Sequence, residues 1–359
     1  MENFVVSARK YRPQTFDDVV GQGSITRTLD NAIKNNHLAQ AFLFCGPRGV
    51  GKTTCARILA KKINSEGDIN QEEDFSFNIF ELDAASNNSV DDIRNLIDQV
   101  RIPPQVGNYR VYIIDEVHML SASAFNAFLK TLEEPPPHAL FILATTEKHK
   151  ILPTILSRCQ IFDFKRIEIP GIIEQLESIA KTEKIKIEHD ALHIIAQKAD
   201  GAMRDALSIF DQIVSFCGSD ITYKDVIENL NVLDYDYYFK ISDAIADKNI
   251  SNALITFDQV LEKGFDGHNF INGLAEHIRN LLVCKNPETL DLLLVGTNIK
   301  EKYKEQSQAL SSDALMYGLR IISKCDIQYK TSKNQRLLVE IMLMQLCSIL
   351  ESLEKKKMS

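Results

Sequence analysis

Apolar and polar positions alternate along the first half of this chain in blocks that predict strands and helices by turns. The runs at 41–44, 78–84 and 160–167 read as strands, and those at 109–120 and 139–147 as buried strands. Between them, apolar residues fall at helical spacing over 24–35, 55–63, 90–100 and 121–134, with a shorter helical piece at 151–159. Ser86-Asn87-Asn88-Ser89 is a helix-start signal. Pro103-Pro104 and Pro135-Pro136-Pro137 are stops. Residues 7–13 are expected to be extended, because a residue before proline disfavours helix. The acidic, polar stretch 64–76 is expected to be a surface loop. Alternating strands and helices predict an α/β fold with a parallel sheet covered on both faces. After about residue 167 strand signals vanish. Three short amphipathic helices follow (172–185, 189–199 and 201–216), then a helical block from about 231 to 354 and a charged tail, 355–359.

One loop carries the chemistry. The run Ala41–Phe44 leads into Gly46-Pro47-Arg48-Gly49-Val50-Gly51-Lys52-Thr53, followed by Thr54 and a helical stretch. This is a complete G-x-x-x-x-G-K-T in the strand–loop–helix context that a phosphate-binding loop requires. Its glycines let backbone N–H groups turn inward around an anion, and the helix N-terminus adds its positive end. Lys52 is placed to reach the β/γ-phosphates of ATP, and Thr53 offers a hydroxyl to Mg²⁺. Val111-Tyr-Ile-Ile-Asp115-Glu116 supplies the other half of an ATPase site. Asp115 is expected to hold Mg²⁺ and Glu116 to polarise the attacking water. His118, two residues on, reads as structural or partner-facing. Thr145 and Thr146 end the next strand, where a polar residue can hydrogen-bond the γ-phosphate or the water. By spacing alone, Arg158 and Arg204 read as ordinary surface cations.

Composition narrows the class. Of 359 residues, 45% are hydrophobic and 25% charged, ordinary values for a globular protein of two or three domains. No apolar run reaches the ~18–20 residues that span a bilayer, and the N-terminus lacks a signal-peptide core, so no membrane association and a cytoplasmic location are expected. Seven cysteines form no C-x-x-C pair and read as structural thiols. A net charge of −8 argues against a uniformly basic nucleic-acid binder. Nearly all the excess acid lies after residue 166, so any DNA contact is expected in the first half.

The stretches ARKYRPQTFDDVVGQ, GPRGVGKTT, ELDAASNNSVDDIR, VYIIDEVHMLS, FNAFLKTLEEPP, FILATTE, ILSRCQ and GAMRDALS together resemble the bacterial clamp-loader ATPases, the γ/τ subunits of DNA polymerase III. The resemblance covers roughly residues 4–230 densely and is sparser beyond. It implies an AAA+ ATPase domain over 1–166, a helical lid over 167–230 and an all-α collar domain over 231–354. It implies ATP with Mg²⁺, and an arc of five subunits containing δ- and δ′-type chains and other copies of this one. That arc would load a sliding clamp on primed DNA during replication. Ala8, Arg12, Val20 and Gly21 match the segment that walls the adenine. Thr146, with Thr145 beside it, matches the first sensor, and Arg204 the lid arginine that senses the γ-phosphate. Arg158 matches the arginine finger that reaches a neighbour's ATP; such an arginine is worth about 10³–10⁵ in rate in related hydrolases.

Two departures from the family pattern matter. Its members usually carry a four-cysteine zinc module between the phosphate-loop helix and the next strand, and residues 63–80 here contain no cysteine, so no zinc is expected. Arg94 and Lys130 match DNA-contacting positions, but Asn87, Asn88 and Ser89 stand where cations are common. They can still donate to phosphate at a helix N-terminus, although capping alone also explains them. A branch-migration motor or replication initiator would need a basic recognition helix, which the block after 231 does not show. A non-hydrolysing structural subunit would not need Lys52, Thr53, Asp115 and Glu116 intact. No polymerase active site is read here, so nucleotide addition is expected of a partner chain. Longer family forms continue into segments that bind the polymerase core and helicase; these residues supply none, so a short form or a truncated chain is expected.

Overall fold

The computed structural model describes residues 5–65, 75–105, 107–230, 232–293 and 295–348. Most of the expected loop over 64–76 and the tail 355–359 lie outside the described residues. Residues up to Ile185 together with Ile195–Ser215 form one compact unit; Lys186–Ile194 and the residues from Phe216 onward form a second.

The first unit is laid down as α1 (Ser7–Lys10), α2 (Gly23–Lys34), β1 (Ala41–Cys45), α3 (Lys52–Ser65), β2 (Ile79–Asp83), α4 (Val90–Val100), β3 (Arg110–Asp115), α5 (Ala122–Glu133), β4 (Ala139–Thr145), α6 (Pro153–Leu156), β5 (Gln160–Asp163) and α7 (Ile169–Glu183). The five strands pair in parallel in the order β2-β3-β4-β1-β5. Successive side chains point to opposite faces. Phe42, Phe44, Val111, Ile113 and Ile142 pack on Leu29 of α2 and Leu59 of α3. Leu43, Tyr112, Ile114, Phe141 and Leu143 pack on Ile93 of α4 and Phe128 of α5. Both faces are buried, which is why these strands read as unbroken apolar runs. Ser89 caps α4 in a reciprocal box with Asp92, and Ser121 caps α5.

Three expectations are corrected. Residues 7–10 are a helical turn, not extended. Pro13 constrains only Arg12, and the Ser7 amide and hydroxyl are both held by the Asp211 carboxylate. The strand expected over 109–120 ends at Asp115. Glu116 turns left-handed (φ 47°) and Val117–Met119 form a 3₁₀ turn. Val117 and Leu120 are nonetheless buried, so the apolar rhythm runs on past the break. Strand structure also recurs after residue 167, as a two-residue parallel bridge described next.

The chain continues through β6 (Lys186–Ile187), α8 (His189–Lys198), α9 (Met203–Cys217), β7 (Asp220–Ile221), α10 (Tyr223–Asn229), α11 (Tyr235–Ala246), α12 (Ile250–Glu262), α13 (Gly267–Val283), α14 (Thr297–Gln306), α15 (Ser312–Tyr329) and α16 (Gln335–Cys347). In the second unit β6 pairs with β7, and Phe257, Phe270, Leu274, Tyr303, Ile322 and Leu343 centre a core drawn from α11–α16. No helix among the described residues is long and apolar enough to cross a membrane. All seven cysteines are free. Burial pushes the Cys45 thiol up to about 11 and those of Cys55 and Cys159 up to about 12, which argues against reactive thiolates.

Candidate nucleotide site

The loop between β1 and α3 adopts backbone that only glycine takes easily. Gly46, Gly49 and Gly51 all have positive φ. A Cβ on Gly46 would overlap the Phe164 carbonyl, and one on Gly49 would sit 2.9 Å from Ala202 Cβ. Lys52 opens α3 and is 6% exposed. Its ammonium donates to the carbonyls of Gly46 (2.8 Å) and Pro47 (2.7 Å). Burial holds its pKa below the ordinary lysine value, while Glu116 and Asp115 pull the other way. A buried cation whose hydrogen bonds end on neutral loop carbonyls, beside a helix N-terminus, fits an anion.

Two carboxylates face this loop. Thr53 Oγ1 donates to Asp115 Oδ2 at 2.7 Å, joining the first turn of α3 to the end of β3. These adjacent hard oxygens are the donor type Mg²⁺ takes. The Glu116 amide donates to Asp115 Oδ1 at 2.9 Å. The Glu116 carboxylate accepts from the Thr146 hydroxyl (2.9 Å) and amide (3.2 Å). His118 Nδ1 lies 3.0 Å from Thr145 Oγ1 and 3.4 Å from Glu116 Oε2, with its side chain 7% exposed. The sequence reads His118 as structural or partner-facing, and the structure sets it against Glu116 and Thr145. The left-handed turn at Glu116 folds the chain back and brings it in.

A cavity of about 800 Å³ brings together Ala8, Arg12, Val20, the loop from Gly49 to Thr54, Asp115, Glu116 and Arg204. The remaining expected nucleotide residues do not line it. Gly46 and Pro47 accept from Lys52. Gly21 turns with φ 76° against Ile167. Thr145 and Thr146 engage His118 and Glu116. The cavity also holds Arg9, Arg48 and Arg57, which the sequence reading missed. Arg57 lies four residues past Thr53, on the same helix face, and that spacing was the available signal. Its guanidinium pairs with Glu81. The Arg12 guanidinium is held below its usual pKa by burial first and by Arg57, Arg204 and Arg9 after that. Such cationic crowding suits a polyphosphate.

Arg158 lies outside the cavity. Its Nη1 donates to Thr154 O (2.7 Å) and Ser157 Oγ (3.1 Å), and its Nη2 to Glu133 Oε1 (2.6 Å). Of the expected DNA residues, Arg94 and Lys130 are exposed, and Arg94 pairs weakly with Asp91 at 3.5 Å. Asn87 Nδ2 donates to Asp83 O, and Asn88 O accepts from the Ser121 amide, tying the start of α4 to that of α5. Among the described residues no three His, Cys, Asp or Glu side chains gather as a metal-binding group.

Fold and loop together define an AAA+ protein of the phosphate-binding-loop kind. The fold alone is shared with a variant of Thermotoga maritima RuvB, at 21% identity and a TM-score of 0.50 over 65% of this chain and 79% of that one. Three family models match in succession: DNA polymerase III delta subunit over residues 21–168, the DNA polymerase III clamp-loader ATPase lid domain over 171–219, and domain III of DNA polymerase III subunits gamma and tau over 221–358. DNA polymerase III subunit tau of Bacillus subtilis (strain 168) is 42% identical over 94% of this chain and 62% of its own length. Subunit tau of Escherichia coli (strain K12) is 35% identical over 96% and 55%. Subunit gamma of Buchnera aphidicola subsp. Acyrthosiphon pisum is 32% identical over 96% and 99%. The chain belongs to the DNA polymerase III γ/τ subunit family. It spans about 62% or less of the first τ relatives it matches.

Proposed function

We propose that this chain is an ATPase motor subunit of a replicative clamp loader, acting in the cytoplasm. It would assemble with δ- and δ′-type subunits and further copies of itself, and would place a sliding clamp on primed DNA. The observation that carries the reading is the convergence of Lys52, the Thr53–Asp115 pair and Glu116 on one cavity. The three successive family matches support a matching division of labour: ATPase domain to about 166, lid to about 230, collar beyond.

In this reading Lys52 exchanges its loop carbonyls for the β/γ-phosphate oxygens. Thr53 and Asp115 are the residues that would hold Mg²⁺, which when bound neutralises charge on those oxygens. Glu116 orients and polarises the attacking water, and Thr146 fixes its carboxylate. Arg204 contacts the phosphate from the same chain. Arg158 supplies charge in trans to the ATP of the next subunit. Its position outside its own cavity is consistent with that role. Asn87, Asn88, Arg94 and Lys130 are assigned to DNA phosphate. Nucleotide addition is left to a partner chain.

The test is ATP turnover of the complex reconstituted with clamp and primed DNA. Both should stimulate hydrolysis. Arg158→Ala should bind nucleotide as the parent does and lose most of the turnover. An isolated chain that hydrolyses ATP at the rate of the assembled complex would overturn the in-trans mechanism. The likeness to RuvB is one of fold alone and gives no support to a branch-migration motor.

A further inference from the structure

We propose that Glu133 is the positioning residue for Arg158, an inference that rests on reading Arg158 as the in-trans arginine. Three of the five guanidinium N–H donors of Arg158 have acceptors in the structure. Two of these bonds, to Thr154 O and Ser157 Oγ, are local. They tie the guanidinium to the end of α6, which is only four residues long. The third, to Glu133 Oε1 at 2.6 Å, is the contact that comes from another element. Glu133 is the last residue of α5, a helix of three turns whose Phe125, Phe128 and Leu132 are buried in the sheet core. α6 is anchored in the same core by Ile155, and Glu133 therefore adds a second fixed point, on α5, that sets the guanidinium's direction. A planar guanidinium held by three acceptors keeps two N–H groups for a phosphate. A triphosphate carries more negative charge than one carboxylate, so the pair does not prevent that contact.

The pair is partly exposed, with 32% of the Arg158 and 49% of the Glu133 side-chain surface open. Exposed ion pairs contribute little to stability, so a structural role alone predicts that removing Glu133 is nearly silent. A positioning role predicts loss of turnover without loss of binding, because a small misplacement of a catalytic cation is costly.

The experiment is single-turnover ATP hydrolysis in the reconstituted complex with clamp and primed DNA. Glu133→Ala should slow hydrolysis by about tenfold to a hundredfold, leave nucleotide affinity at the parental value, and leave the unfolding midpoint unmoved. Glu133→Gln keeps an acceptor and should lose less; it also serves if the alanine variant folds poorly. Glu134→Ala, which removes the same charge one residue on, should run at the parental rate. In an Arg158→Ala background, Glu133→Ala should add no further loss. Parental or faster hydrolysis by Glu133→Ala, or a double variant slower than Arg158→Ala alone, would overturn the proposal while leaving the in-trans reading intact. If Arg158→Ala itself keeps the parental rate, the reading beneath the proposal fails and takes it along.

Discussion

Thr146 holds Glu116 by two hydrogen bonds, one from its hydroxyl at 2.9 Å and one from its amide at 3.2 Å, both to the same carboxylate oxygen. Thr146 ends up beside Glu116 because β4 is the direct neighbour of β3, so the residues just past the two strand ends meet. Thr146→Val keeps the β-branch and the amide and removes only the hydroxyl. Nucleotide affinity should stay at the parental level, and turnover of the assembled complex should fall about tenfold or more, as it does when one oriented polar contact is lost from a hydrolytic site. Glu116→Gln should bind ATP and fail to turn it over. Full turnover by Thr146→Val would show that the amide alone suffices.

Gly46 is where the loop leaves least room. With φ at 146° and the Phe164 carbonyl occupying the space a Cβ would need, Gly46→Ala requires β1 and the residue after β5 to move apart. The expected cost is about 3 kcal/mol or more, from backbone strain and overlap together. Urea unfolding of the first unit checks this. Gly23→Ala is the control, since a Cβ there meets nothing within 4 Å.

Most of the first unit was legible because its central strands β1, β3 and β4 are buried on both faces and because α4 and α5 carry side-chain caps. β1 and β4 are buried at every position, as strands covered on both faces are, and the Gly46–Thr53 spacing marks the loop. The missed parts share a cause. Apolar periodicity reports burial, and burial continues through the break at Glu116, so the strand reads too long and the contact of His118 with Glu116 has no signal in it. Arg57 was passed over because a cation on a helix looks the same in sequence whether it faces a cavity or solvent. Glu133 and Arg158 lie 25 residues apart with a strand between them, and no local pattern couples them.

The Thr53–Asp115 pair makes a prediction about metal. With the two oxygens 2.7 Å apart, loss of either should weaken the metal dependence of nucleotide binding rather than abolish binding outright. Asp115→Asn keeps the size and removes the charge. Titrating Mg²⁺ against a fluorescent ATP analogue should give an apparent metal affinity lower by at least the ~10-fold that even an outer-shell partner costs. An unchanged titration would remove Asp115 from the metal site.

The second unit offers a test that is independent of nucleotide. His277 is 1% exposed on α13 and ringed by Tyr238, Phe239 and Tyr303. Gln306 donates through Nε2 to Phe239 O and Asp243 Oδ1, so its Oε1 faces His277 as an acceptor. His277 Nε2 also lies 3.0 Å from Ser242 Oγ, and a proton on Nε2 serves both acceptors, leaving Nδ1 to accept from the Tyr303 hydroxyl. The ring is built to be neutral, and burial lowers its pKa to about 3. An unfolded histidine titrates near ~6.5. Between these values the unfolded chain binds the extra proton. Stability from this residue is therefore complete above about 6.5 and is lost as pH falls toward about 3, by on the order of 4 kcal/mol across the window. His277→Gln should be less stable than the parent at pH 8, because the ring's packing is gone. Its stability should also fall less steeply between pH 7 and pH 4. Carboxylates elsewhere titrate alike in both proteins, so the difference between the two slopes isolates His277. Parallel slopes would mean that the ring takes up its proton inside the folded unit.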